Sequence, residues 1–440
     1  MDYSKAVQYI ESFVNYERAI EWSYPESFKL DRMKALAKEL GNPQNAYDSV
    51  IVAGSKGKGS TCAILASILR MENLKVGLYT SPHLLDIRER IRVNGLTISE
   101  SRFTETAELL ARTLDSYEWR KDPPTYFEVL TVMAFHYFKE MKVQVAVLEV
   151  GLGGLYDSTN IVPAKVAGIT PISLEHTDKL GKTVSKIAVQ KCGILKGREI
   201  VVSGIQTSDA ESVIEKTAQE RECELWRVGK EIQIIEREFS PEGQKFDVKA
   251  PFGNYFDLSL ELLGLHQIAN AAQAIGLAKA LEKKTRLKIS DLSVQKGILD
   301  ARWPGRLEKA ETHPFLILDG AQNKDSAEKL MEALLRHFTY NKLIVLLGVS
   351  QDKDLHGILQ VLAPETTQLV ATRSTHPRAL DPLLIREEAA AFGLSAVSVP
   401  EVAKALKEAR SLAGPEDLIL ITGSLFLVAD IKKELNTIGA

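Results

Sequence analysis

Apolar runs of strand length alternate with helix-length amphipathic segments along almost the whole chain. This alternation constrains the fold more than any other feature, because it is the pattern of α/β layers built on mostly parallel sheets. The first unit begins at Val50-Ile51-Val52-Ala53, passes through a glycine-rich turn and continues in Thr61–Met71 with apolar residues at helical spacing. Further buried-strand candidates are Val76–Tyr79, Val143–Val150 and Val166–Thr170, each followed by glycine, proline or polar residues. In such sheets ligand chemistry gathers at the carboxyl ends of the strands, so the loops after these runs are where functional residues are expected.

The pattern changes between about residues 223 and 263. Glu224–Val228, Glu231–Ile235, Lys245–Lys249 and Tyr255–Leu260 read as short strands of a small antiparallel patch, with turns at Pro241-Glu242-Gly243 and Pro251-Phe252-Gly253-Asn254. Helical spacing returns in His266–Leu281 and Ile289–Ala301, and Trp303-Pro304-Gly305-Arg306 interrupts it. A domain boundary is placed there, giving domains 1–301 and 302–440. The second domain carries strands near Phe315–Asp319, Leu343–Leu347, Gln368–Ala371 and Leu418–Ile421, and helices at Asp325–Phe338, Pro382–Phe392, Val402–Ala413 and Ser424–Asn436. The expected fold class is α/β: an N-terminal domain with a P-loop and a mostly parallel sheet, then a smaller Rossmann-like domain. With 440 residues, two or three domains are the ordinary count.

Charge and cysteine content exclude several partners. Lysine plus arginine is 55 and aspartate plus glutamate is 58, a net charge of −3 that leaves no electrostatic footprint for nucleic acid or an anionic membrane. Three scattered cysteines, Cys62, Cys192 and Cys223, form no C-x-x-C pair and fit a reducing cytoplasm. No apolar run approaches the ~18 residues of a membrane span.

Three segments carry chemistry. Gly54-Ser55-Lys56-Gly57-Lys58-Gly59-Ser60 lies between a strand and a helix. Its glycines let backbone amides turn inward on phosphate oxygens, Lys58 supplies a full positive charge, and a hydroxyl can ligate magnesium. It departs from the strict P-loop: one residue is missing before Gly57, and Gly59 separates the lysine from Ser60. In Val145–Gly154 an apolar strand carries one acid, Glu149, just before a glycine-rich exit. A carboxylate there needs a cation or donors, and a metal is its natural partner. His176, in Ser173-Leu174-Glu175-His176, is on its own terms either a second metal ligand or a hydrogen-bonded loop histidine.

Together with other motifs, these residues resemble the folylpolyglutamate synthase/dihydrofolate synthase family, a branch of the Mur ligase superfamily. The resemblance runs from about Phe28 to Asp430. It is carried by the P-loop variant, Thr80-Ser81-Pro82-His83-Leu84, Glu89-Arg90-Ile91, Pro124–Glu128 and Glu149–Gly154 with Asp157 and Thr159-Asn160. Later it includes Leu263-Gly264, His266-Gln267, Asn270-Ala271-Ala272, Trp303–Glu308, Leu318–Ala321, Asp352-Lys353-Asp354, His376–Ala379 and Thr422-Gly423-Ser424.

The resemblance implies a ligase using ATP and magnesium to join L-glutamate to dihydropteroate or to the γ-carboxylate of a reduced folate. The acceptor carboxylate attacks the γ-phosphate, and the glutamate amine displaces phosphate from the resulting acyl phosphate. It further implies ATP contacts from Gly54, Ser55, Lys56, Gly57, Lys58, Gly59 and Ser60, with Asn270, Arg306 and Asp319. Two magnesium sites are implied, one on Ser60 and one on Glu149 and His176. Acceptor contacts fall on Ser81, Phe127 and Asp157, and glutamate-side contacts on Arg378 and Ser424. Lys191, in Val189-Gln190-Lys191-Cys192-Gly193, matches a lysine often carbamylated in the family; with Lys58 and His176 it completes the catalytic set. A monomer is implied.

Each residue also has a bland reading. Arg306 fits an ion pair, Asp319 a strand-end cap, Phe127 core packing, Ser424 a helix N-cap and Lys191 a surface salt bridge. The chain departs from the family at Ser55-Lys56, Leu155-Tyr156, Glu175 and Gln322, each beside a binding motif. A related Mur-type ligase with a different carboxylate acceptor is the alternative function, and a nucleotide-binding protein without ligase activity is a third.

Overall fold

The computed structural model describes residues 1–17 and 28–438. It divides into two compact units. One comprises Met1–Glu236, Phe246–Ser259 and Ile268–Ala301, and the other Arg237–Lys245, Leu260–Gln267 and Arg302–Ala440.

The first unit is built on β1 (Asp48–Ala53), β2 (Val76–Tyr79), β3 (Ile91–Val93), β4 (Leu96–Thr97), β5 (Val145–Glu149), β6 (Val166–Ile169), β7 (Ile200–Ser203) and β8 (Glu224–Arg227), in the order β4-β3-β2-β5-β1-β6-β7-β8. The strands from β2 to β8 pair in parallel, while β3 and β4 add an antiparallel edge. β1 and β5 are buried throughout apart from Asp48, as expected of strands covered on both faces. The apolar helix Tyr126–Glu140 supplies much of the core, with Val129, Leu130, Val132, Met133 and Phe135 all buried against residues of β1, β2 and β5.

One expectation needs correcting. Glu224–Val228 does not belong to the small patch; it forms β8, which extends the large sheet by parallel pairing with β7. Its alternation is that of a half-exposed edge strand, which local sequence does not distinguish from a hairpin arm. The patch itself is a three-stranded sheet of β9 (Gln233–Ser240), β10 (Gly243–Ala250) and β11 (Gly253–Leu260).

The second unit has a six-stranded sheet of β12 (Glu308–Thr312), β13 (Phe315–Leu318), β14 (Leu343–Leu347), β15 (Gln368–Ala371), β16 (Ala396–Ser398) and β17 (Leu418–Thr422), in the order β12-β13-β17-β14-β15-β16. Only β12 is antiparallel to its neighbour. Helices Lys324–His337 and Leu355–Leu362 bury Leu330, Leu334, Ile358 and Leu362 in its core. Among the described residues no helix is long and apolar enough to cross a membrane.

Candidate active site

Strand order decides which loops meet. Since β2, β5, β1 and β6 are successive neighbours, the loops leaving their carboxyl ends stand side by side: Thr80–Arg90, Gly151–Gly154, Gly54–Gly57 and Thr170–His176. These four loops contain Gly54, Ser55, Lys56, Gly57, Ser81 and His176, and Lys58, Gly59, Ser60 and Glu149 adjoin them on the flanking helix and strand.

The Gly54–Gly57 turn is held by its neighbour after β6. The amides of Ser55 and Lys56 donate to the Pro171 carbonyl at 3.0 and 3.1 Å, and Ser55 Oγ donates to the Ser173 carbonyl at 3.1 Å. A side chain is excluded at two positions. Gly54 has φ +148°, and a Cβ there would lie 1.8 Å from Thr170 Oγ1; at Gly57, with φ +83°, it would lie 2.4 Å from Asn270 Oδ1. Asn270 therefore packs directly on the turn, delivered by the helix Leu265–Lys284. Gly57 caps the helix Lys58–Met71 without a side-chain hydrogen bond, which leaves its first amides for an anion. That helix starts three residues before the expected Thr61.

Charge converges on the same turn. Lys58 Nζ donates to the Gly54 carbonyl at 3.1 Å, and Lys191 Nζ, from the helix Val184–Cys192, donates to that same oxygen at 2.6 Å and to Glu175 Oε1 at 2.8 Å. Lys191 is 1% exposed, so it is not the surface lysine of its bland reading. Burial pushes its ammonium down toward neutrality, against the Glu175 carboxylate and with the charges of Lys58 and Lys56. Burial would raise Glu175, but Lys191 and Lys58 outweigh it and hold the carboxyl well below its usual range. The pairing itself was not foreseen: its only signal in the sequence was glutamate where the family has aspartate.

Glu149 is buried at the end of β5, opposite Val52 of β1, and its Oε2 accepts the Ser81 amide at 3.0 Å. The buried Cys62 thiol is raised by burial and by the Glu149 charge, with Lys58 opposing, so both charged groups flank the first turns of the same helix. Ser60 is buried in that helix. His176 is exposed, at φ +45°, heading the short helix Thr177–Leu180. Among the described residues no three His, Cys, Asp or Glu side chains form a cluster able to hold a metal. The Ser60 hydroxyl and the Glu149 carboxylate are oxygen donors that suit Mg2+, which keeps waters and substrate phosphates as ligands and takes only one or two carboxylates, whereas the imidazole of His176 is a softer donor.

Among the residues expected to contact the acceptor, the Phe127 ring lies 5.9 Å from that of Tyr79 and packs so closely on Gly151 that a Cβ there would meet it at 2.6 Å. Asp157 is fully buried. Its oxygens accept the amides of Gly151, Leu152 and Thr159 and the Thr159 hydroxyl at 2.6–3.1 Å, which braces the glycine-rich exit; burial nevertheless raises its pKa.

In the second unit the same rule applies to β13, β17, β14 and β15. Asp319, just after β13, accepts the Leu307 and Ala321 amides, both at 2.8 Å; desolvation raises its pKa, while the Arg306 charge and these amides oppose the rise. Ser424, just after β17, is buried and its Oγ accepts the Phe426 amide at 3.1 Å. Arg378 sits in the loop after β15, its amide donating to His376 Nδ1 at 3.2 Å, and the His376 ring stacks on Phe426 at 3.8 Å between centroids. The stack brings the Arg378 loop to the Ser424 turn. Gln322 is exposed, its amide on Ser326 Oγ.

Residues 52–278 match the Mur ligase middle domain, and residues 305–425 match the Mur ligase, glutamate ligase domain. A dihydrofolate synthase/folylpolyglutamate synthase of Bacillus subtilis is 35% identical over 411 residues, covering 92% of this chain and 94% of the relative. Its Escherichia coli counterpart is 33% identical over 92% of this chain and 91% of its own. Among solved structures, a Mycobacterium tuberculosis folylpolyglutamate synthase complexed with ADP superposes with a TM-score of 0.90 at 30% identity, covering 98% of each chain. An E. coli structure in complex with DHPP and ADP gives 0.88 at 30% identity, covering 100% of this chain and 99% of that one.

Proposed function

The chain belongs to the dihydrofolate synthase/folylpolyglutamate synthase family of Mur ligases and is an ATP-dependent ligase, and from that premise we propose how its own residues divide the work. The substrates are ATP, L-glutamate and a dihydropteroate or reduced-folate carboxylate, joined through an acyl phosphate. The convergence of Lys58, Glu149 and the Ser81 loop around one glycine cradle is the observation that carries this reading. Such a reaction needs positioning and charge neutralisation more than a protein nucleophile.

In this reading Gly54–Ser60 and Asn270 hold the phosphates, with Lys58 offsetting their charge. Ser60 would hold one Mg2+, and Glu149 and His176 a second, and such ions would supply positive charge to offset that of the phosphates. Ser81, Phe127 and Asp157 line the acceptor side. Arg306 and Asp319 belong to the nucleotide, and Arg378 and Ser424 to glutamate. The domains are 1–301 for ATP and acceptor and 302–440 for glutamate ligation, and the enzyme works as a cytoplasmic monomer.

Lys191 has two forms in this scheme. Family resemblance and burial, which favours the uncharged amine, support a carbamate that adds negative charge near the metal. The ion pair with Glu175 and the bond to the Gly54 carbonyl favour the free ammonium. A carbamate resonance in protein equilibrated with 13C-bicarbonate establishes the first form, and its absence the second.

The substrate reading is tested by ADP release with ATP, magnesium, glutamate and either dihydropteroate or tetrahydrofolate. Turnover is expected to depend on at least one pteridine acceptor. Turnover indifferent to both, with no new amide by mass, favours a Mur-type ligase acting on another carboxylate.

A further inference from the structure

The Thr80–Arg90 loop contains a set of contacts that the scheme above leaves unused. Arg90 is 1% exposed, one of the largest fully buried side chains of the protein. Its two terminal nitrogens donate to both oxygens of Glu17 at 2.7 and 2.6 Å, and its guanidinium lies 5.4 Å from the centre of the Tyr126 ring. The third nitrogen, Nε, donates its hydrogen to His83 Nδ1 at 2.9 Å. The loop around them is tied down as well: Glu89 accepts the amides of Leu84, Leu85 and Asp86 at 2.9–3.0 Å, and the Thr80 amide donates to the Arg90 carbonyl at 3.1 Å.

A guanidinium has only donors, so the atom facing Nε must accept. His83 Nδ1 is therefore a lone pair, and the neutral ring carries its proton on Nε2. The imidazole is partly exposed, two residues beyond Ser81, whose amide reaches Glu149, and Arg90 rests on the neighbour of Phe127. A purely structural anchor would need the Glu17 pair alone; here Nε–H also sets a tautomer beside the acceptor-side residues.

We propose that His83 is a specificity-determining substrate contact, offering Nε2–H to an oxygen or ring-nitrogen acceptor of the pteridine-type substrate, and that Arg90 and Glu17 are positioning residues that fix this tautomer. The inference rests on the acceptor class proposed above. In 15N-histidine-labelled protein, with His83 assigned by its loss in His83→Phe, the ring shows an unprotonated Nδ1 and a protonated Nε2. His83→Phe raises KM for the pteridine acceptor about tenfold, the worth of one hydrogen bond to a ligand, while KM for ATP stays within about twofold. His83→Gln, which keeps an N–H near the Nε2 position, recovers most of the loss. Arg90→Lys, which keeps a charge for Glu17 but lacks the Nε donor, lets both tautomers appear. A wild-type spectrum with the proton on Nδ1 overturns the tautomer lock. An unchanged acceptor KM in His83→Phe, in an otherwise pteridine-dependent enzyme, overturns the role of His83 alone. Wild-type turnover independent of pteridines overturns the named ligand together with the reading it rests on.

Discussion

The two units place candidate residues by the same rule, at the carboxyl ends of parallel strands, yet they stabilise those residues differently. In the first unit several buried charges meet opposite charges, Lys191 with Glu175, Arg90 with Glu17, and Arg32 Nη2 with Glu128 at 2.8 Å, while Asp157 and Glu149 are held by amides and a hydroxyl. In the second unit the buried carboxylates lean on backbone amides and hydroxyls, Asp319 on Leu307 and Ala321, and Asp430 on the Thr375 amide and hydroxyl with Lys433 farther off at 3.8 Å. Breaking a paired buried charge strands its partner in a poor solvent. Losing one amide contact does not, so the first unit has more to lose per substitution.

The largest expected effect is on turnover. Glu149→Gln should leave folding largely intact and lower acyl phosphate formation by about 10²-fold or more, comparable to removing one charge-stabilising group from a site. Near wild-type rates at limiting magnesium would make Glu149 a structural acceptor for the Ser81 amide and nothing more. Next comes Lys191→Met, which leaves Glu175 without its partner and should cost about 3–5 kcal/mol in denaturant unfolding. Adding Glu175→Gln should return part of that loss, and strict additivity of the two changes would mean the pair is uncoupled.

A pH scan separates the units more finely. Burial, with Lys329 and Arg306 adding to it and Asp325 opposing, takes the His266 imidazole down from 6.5 to about 4. A histidine less basic in the folded than in the unfolded chain favours folding above its unfolded pKa, and that contribution fades as pH falls from 6.5 to about 4. Glu175, held at about 2 against 4.5 unfolded, contributes fully above 4.5 and loses its share between 4.5 and 2. The second unit should therefore weaken first on acidification. His266→Gln should flatten the upper window without touching the lower one, as followed by thermal melts. The smallest effect is expected at Ser424→Ala, about 1 kcal/mol for a lost helix cap, together with a raised KM for glutamate. An unchanged KM there would leave Ser424 as a cap only.

What the sequence determined by itself was local. Residue periodicity and glycine placement gave the α/β class, the cradle at Gly54–Ser60, and strands β2, β14 and β15 with the ends they have. Motif order gave the family and the residues worth following. Boundaries and partners needed the tertiary structure. The helix at Lys58 begins early because Gly57 caps it in a left-handed conformation, where Asn270, far along the chain, leaves no room for a side chain. Glu224–Arg227 became a parallel edge strand because β7 was there to receive it. Glu17 and Arg90 are 73 positions apart, and Lys191 reaches Gly54 across 137. Spacing within a segment fixes which face a side chain takes, but the partner it meets depends on which strands are neighbours in the sheet, and that is settled only when long-range burial outweighs the entropy of closing the loops between them.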